Sequence, residues 1–289
     1  MSTLTERARR AFLAACALDV AVRKPGNVSA ASPGHRMQAA QFLASAEAAA
    51  GPLFAPGASV GRRIEGAMAA TLAVAGCNTN LGILLLCAPI ARLAEVEPHL
   101  PADPGAWRAG LERVLAALDV DDAAAAFRAI AAAHPGGLGS ADAQDVHTPP
   151  TVTLREAMRL AAPRDRIALQ YANDHADLFD TGLAALPRSA AAATPALVQT
   201  LYLAFLGRFP DSHIVRKHGA AVAQAVTDEA LPWMVRAERG EPVGADPAFA
   251  AWDETLKARG LNPGTTADFT VSTLCLAGAL QWVRLDGSP

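Results

Sequence analysis

The chain has 289 residues, of which 52% are apolar and 18% charged, with a formal net charge of −3. That balance excludes a disordered chain, and the lack of any basic run or patch argues against a nucleic-acid-binding surface. Aromatic residues make up only 5%, so packing falls to Ala, Leu and Val, which suits closely approaching helices better than a β-sandwich.

In chain order, apolar residues at three- and four-residue intervals predict helices over residues 4–22, 37–50, 60–74, 80–94, 104–118, 121–133, 153–160, 164–183, 195–206, 216–230, a stretch around Trp233, 246–259 and 265–284. The opening "RARRAFLAACALDVAV" imitates a leader, but Glu6 and Asp19 interrupt it, and an amphipathic first helix is the better reading. The most apolar run, "LGILLLCAPIARLA", contains Pro89 and Arg92 and is too short to span a bilayer. A buried helix is expected there, in a soluble cytoplasmic protein. Asp121 is expected to open one helix, and Thr265 with Asp268 reads as a capping box opening the last. Cys16, Cys77, Cys87 and Cys275 are scattered, without zinc spacing. No period-two alternation marks a strand and no linker divides the chain. The expectation is therefore all-α, a single multi-helical domain over residues 1–289 whose ligand cleft is formed by helix ends and loops.

Four polar islands break the periodicity: "KPGNVSAASPGH", "GCNTNLG", "QYANDHADLFD" and "LNPGTTAD". Each combines small residues, which let a ligand approach the backbone, with side chains able to bond phosphates, sugars or a divalent cation. In the first, Pro25 and Gly26 fix a turn, and Lys24, Asn27 and Ser29 form a candidate phosphate grip without Walker spacing. The ordinary alternative is a plain helix connection. In the second, Asn78, Thr79 and Asn80 lie beside long apolar stretches and must find partners. In the third, Asn173 and Asp177 share a helix face, a carboxylate–amide pair that suits Mg²⁺; a solvated acidic face is the alternative. In the fourth, Thr265 or Thr266 caps a helix whose N–H groups form an anion site, and Asp268 either completes the cap or reaches a metal. A long loop, residues 134–151, adds Asp142, Asp145 and His147 as potential ligands and reads as a functional loop rather than a passive linker.

Taken in order, "KPGNVS…GH", "FLASAE", "CNTNLG" and "LNPGTTADF" resemble the triphosphoribosyl-dephospho-CoA synthase family over about residues 18–276. The resemblance implies a reaction in which the ribose C1 of ATP is joined to the 2′-hydroxyl of dephospho-CoA, the triphosphate is kept and adenine is expelled. It implies Lys24, Gly26, Asn27, Ser29 and His35 at the nucleotide, with Ser45 on the next helix. Asn78, Thr79 and Asn80 follow, then Arg216 near Asp211, and Gly264, Thr265 and Thr266 at the last motif. His35, Asp145 and Asp177 are the candidates for catalysis, and Asp177 and Asp268 for Mg²⁺ or Mn²⁺. Expected partners are ATP and a coenzyme precursor, without nucleic acid or membrane, in a homodimer. Two departures are visible: Asn80-Leu81 stands where better-known members have His-Lys, and Asp19 where a glutamate is expected. "GCNTNLG" with "PDSHIVRKHG" is similar to a subgroup of methanogens and one-carbon-metabolising bacteria, whose acceptor is then a different, related coenzyme precursor. The rival readings are a phosphotransferase or nucleotide hydrolase in one-carbon coenzyme biosynthesis of tetrahydromethanopterin type, which would release ADP, AMP or phosphate, and a non-catalytic nucleotide-binding helical protein.

Overall fold

The computed structural model describes residues 3–35, 37–140, 143–187 and 191–285. Among them run thirteen α-helices: α1 (Leu4–Ala21), α2 (Ala39–Leu53), α3 (Val60–Ala75), α4 (Leu81–Val96), α5 (Pro104–Ala116), α6 (Val120–Ala133), α7 (Leu154–Ala161), α8 (Arg166–Ala172), α9 (Pro195–Leu206), α10 (Ser212–His218), α11 (Ala220–Glu238), α12 (Pro247–Ala258) and α13 (Gly264–Ala279). The expected all-α architecture is what the chain forms. One parallel pair of two-residue strands, β1 (Ala191–Ala192) and β2 (Val283–Arg284), ties the tail to the segment before α9.

The axis of the fold is α4. Thirteen of its sixteen residues are buried, which is the pattern of a helix surrounded by others rather than laid on a surface. Around it α1 packs along α13 and α2, and α3 lies between α2 and α6. One continuous apolar core joins these helices to α5, α7, α8 and α9. Smaller clusters gather α9 to α13 around Tyr202, Leu206 and Phe249.

Pro89 sits inside α4. Proline has no N–H and its ring crowds the carbonyl one turn earlier, so the Leu85 carbonyl loses its helical donor. Tyr171 fills the gap, its hydroxyl donating to the Leu85 carbonyl at 2.7 Å, and His175 Nε2 meets the neighbouring Leu86 carbonyl at 3.2 Å. Both side chains are fully buried. To deliver them the chain leaves helical geometry: Asp174 and His175 both take left-handed φ values, 59° and 58°. The single helix expected over residues 164–183 is therefore broken into α8 and a short π-turn at Leu178–Gly182. The "QYANDHADLFD" island exists to satisfy the carbonyls of a central helix.

Other boundaries moved for equally local reasons. Gly219, at φ 88°, splits the helix expected from residue 216 into α10 and α11, and α11 continues through Pro232 to Glu238. Asp119 rather than Asp121 caps α6, exchanging hydrogen bonds with Asp122. The final helix ends at Ala279 instead of residue 284. Its predicted Thr265–Asp268 capping box does not form. Asp211 takes its place: Oδ2 accepts from the Thr266 N–H at 2.7 Å and hydroxyl at 2.8 Å, while Oδ1 accepts from the N–H groups of His213 and Ile214. One buried carboxylate thus caps α10 and α13 together and fixes their N-termini side by side.

Candidate active site

The N-termini of α4, α10 and α13 meet the end of α1 around a cavity of about 300 Å³. Asp19, Asn27, Asn78, Thr79, Asn80, Asn262, His213, Arg216, Gly264, Thr265 and Asp268 form its polar wall. Apolar side chains face them, among them Phe42, Phe127, Leu138 and Met158. Three of the four islands converge here. The third does not, and Pro135–Leu138 with Gln144 and Val146 of the long loop supply a wall instead.

Each wall residue has a local cause. Asn78 Oδ1 accepts from the Leu81 N–H at 3.0 Å, closing the first turn of α4. Asn80 takes a hydrogen bond from Thr71 at 3.0 Å, and Thr79 donates to Ser45 at 2.7 Å. Ser45, itself outside the cavity, thus holds Thr79 in place. Gly82 lies against Asp268 so closely that a methyl there would overlap the carboxylate and come within 2.7 Å of Ile167. At Gly264 a methyl would fall 2.7 Å from His213 Nδ1. These two glycines are what allow α4, α10 and α13 to bring their ends together.

The wall carries unmet hydrogen-bonding capacity. Asn27 Oδ1, Asn80 Nδ2, His213 Nε2 and Arg216 Nε are buried without a partner. Buried polar groups are normally paired, so four such atoms from four segments, facing one cavity, point to a polar ligand. Arg216 also pairs with Asp165. His213 is held neutral: burial and the nearby Lys217 and Arg216 charges push its pKa down to about 3. Asp268 goes the other way. Burial, then the neighbouring Asp211 and Asp19 carboxylates, raise its pKa well above the usual carboxylate range, and no ion pair reaches it among the described residues.

Several expected site residues lie elsewhere. Lys24 is fully buried. Its Nζ donates to the main-chain carbonyls of Asp19 and, at 3.4 Å, Val22, and stands 3.2 Å from Asp19 Oδ1. It does not face the cavity, and the phosphate grip expected of it is not formed. Gly26, at φ 79°, presses its α-carbon onto the 261–263 turn. Ser29 is buried in a backbone pairing with Ser32. His35, with φ 54°, turns its Nε2 to the Gly26 carbonyl at 2.8 Å, and burial lowers its pKa. Asp145 Oδ1 accepts from the His147 N–H in an Asx turn on the outer loop, and Asp142 lies outside the described residues. Asp177 is occupied by Arg166 at 2.8 Å and Gln170 at 2.6 Å. Thr266 is consumed by Asp211. Four wall residues were not foreseen: Asp19, Asp165, His213 and Asn262. For Asp19 a signal existed, because it extends the buried α1 stripe Phe12–Ala15–Cys16 with a carboxylate. Asn262 lies in the "LNPGTTAD" island, and for Asp165 and His213 the periodicity carried no signal.

The family model for ATP:dephospho-CoA triphosphoribosyl transferase matches residues 5–286. The chain belongs to this family. Its members move a triphosphoribosyl group from ATP to dephospho-CoA, and the chain is a transferase of that kind. The fold is also that of a crystal structure from Archaeoglobus fulgidus whose assignment as a triphosphoribosyl-dephospho-CoA synthase is provisional. The two are 23% identical with a TM-score of 0.64, over 83% of this chain and all of the other. Comparison with curated sequences gives no match. No helix among the described residues is long and apolar enough to cross a membrane.

Proposed function

We propose that this cavity is where the triphosphoribosyl group passes from ATP to dephospho-CoA, in a protein that acts as one domain and assembles as a homodimer. The carrying observation is the set of four unpartnered buried polar atoms on one wall. ATP supplies what they lack: phosphate oxygens for Asn80 Nδ2 and Arg216 Nε, and ribose hydroxyls for Asn27 Oδ1 and the neutral His213. The triphosphate lies at the start of α4, where free N–H groups and the helix dipole favour an anion.

Among the described residues no three His, Cys, Asp or Glu side chains cluster as a metal cage. Mg²⁺ is nevertheless compatible with the wall, since it is commonly held by one or two carboxylates plus substrate phosphates. Asp268 is the cavity carboxylate that no basic side chain pairs, and it would hold the ion, which would neutralise phosphate charge as the glycosidic bond opens. Arg216 keeps the phosphates in place while positive charge develops at C1. The departing adenine carries away the bond's electron pair and takes up a proton.

The test is product identity. Protein mixed with ATP, Mg²⁺ and dephospho-CoA should release free adenine stoichiometrically with consumed acceptor, read by chromatography. Release of ADP, AMP or phosphate in its place would refute the reading. Arg216→Ala should weaken ATP binding by roughly ten- to a hundred-fold, the loss of a charge-assisted contact.

A further inference from the structure

We infer that Asp19 is the group that takes the proton from the acceptor hydroxyl, and that Lys24, out of reach of substrate, is the positioning residue that keeps it able to do so. The inference rests on the cavity being the transfer site.

Four carboxylates stand in or next to the polar wall, and three are committed. Both oxygens of Asp211 are filled by capping donors. Asp165 Oδ1 caps α8, accepting from Ile167 and Ala168 at 2.9 and 3.1 Å, and Oδ2 pairs with Arg216. Asp268 has no ion pair among the described residues and is the carboxylate set aside for the cation. Asp19 alone both faces the cavity and carries a counter-charge that no cap or substrate contact shares. Lys24 Nζ stands 3.2 Å from Asp19 Oδ1 and also donates to the main-chain carbonyls of Asp19 and Val22. The lysine fixes the carboxylate from behind and supplies charge, and the carboxylate keeps lone pairs for a cavity ligand.

The setting also suits a base. Burial raises the Asp19 pKa, and the Lys24 ammonium pulls it part of the way back, giving a carboxylate more basic than one in water. In the transfer, the acceptor O–H proton moves to the Asp19 carboxylate as the acceptor oxygen bonds to the ribose C1. The C1–N bond breaks with its electron pair on adenine. Adenine gains one proton and the hydroxyl loses one, so the step balances without a further reagent.

Asp19→Asn keeps the shape and removes the base. It should lower kcat for adenine release by at least about a hundred-fold, the usual weight of a general base, while the dissociation constant for ATP stays within about three-fold. Asp19→Glu should recover part of the rate. Because Asn leaves Lys24 without a counter-charge, the Asp19→Asn/Lys24→Met double variant is the control: it should regain thermal stability and stay inactive. Turnover of the double variant within about three-fold of the parent would show that the pair only holds the fold, and the inference falls. It falls equally if Asp19→Asn weakens ATP binding with kcat intact, for Asp19 would then be a ligand. If Arg216→Ala and Asp268→Asn leave both binding and turnover unchanged, the cavity itself is the wrong site.

Discussion

His175 offers a direct check on the internal architecture, because it is a fully buried imidazole with only one main-chain contact. Burial lowers its pKa from the ordinary 6.5 to about 4, a shift that the contact with the Leu86 carbonyl only partly opposes. The folded protein therefore keeps it neutral where the unfolded chain would protonate it. The sign follows from linkage: the full stability is present above pH 6.5, and it is lost as the pH falls toward 4. Between pH 7 and pH 5 this one group should remove about 2 kcal/mol, rising to about 3 kcal/mol below pH 4.

The comparison variant is His175→Asn. Asparagine tolerates the left-handed backbone that position 175 requires and does not titrate. Urea unfolding of both proteins at pH 7 and pH 5 gives the difference directly. His213, also held neutral by burial and nearby cations, titrates alike in both and cancels. The parent should lose about 2 kcal/mol more than the variant over this interval. Equal losses would mean that His175 is solvated, and that its contact with the Leu86 carbonyl is not as described.

Lys24→Ala should cost about 3–5 kcal/mol of stability, since it strands the buried Asp19 carboxylate; an unfolding free energy within 1 kcal/mol of the parent would contradict the buried pair. Gly82→Ala forces a methyl onto Asp268 and Ile167, so about 1–3 kcal/mol of stability should be lost, together with ATP affinity measured by titration calorimetry. Tyr171→Phe leaves the Leu85 carbonyl without its donor and should cost about 1–3 kcal/mol in urea unfolding, with adenine release at saturating substrate unchanged.

Helix order was legible because the apolar repeat is a local property that the tertiary fold only ratifies. The "CNTNLG" and "LNPGTTAD" islands were legible as helix starts, and helix starts are where these cavity walls come from. What could not be read is which way a polar side chain turns once helices pack. Lys24 before Pro-Gly has the pattern of an exposed loop residue, and only the end of α1 folding back over it makes it internal. Asp177 and Asn173 look like a shared polar face until the left-handed residues 174 and 175 destroy the helix that would align them. His213 follows a capping aspartate and resembles any residue of a short helix. Its exposure to the cavity depends on Gly264, fifty residues away in sequence.

The "KPGNVSAASPGH" segment acts through what it braces rather than through what it binds. Asp253 of α12 accepts from the Gly26 N–H at 2.9 Å and pairs with Arg23 and Lys257. Lys257 reaches the Ser32 carbonyl at 3.0 Å, and Tyr202 of α9 reaches the Pro25 carbonyl at 2.8 Å. Asn27 Nδ2 donates to Asn262 at 3.0 Å, just before α13 begins. Every one of these partners belongs to the second half of the chain. The loop therefore joins the end of α1, which carries Asp19, to the turn that carries Gly264 and Asp268. Of its residues, only Asn27 offers an open polar atom to the cavity. The prolines and glycines give a rigid shape, and rigidity here fixes the distance between two carboxylates, Asp19 and Asp268, that line one cavity. That is why a lysine can be buried in it: the Lys24 charge is used inside the wall, against Asp19.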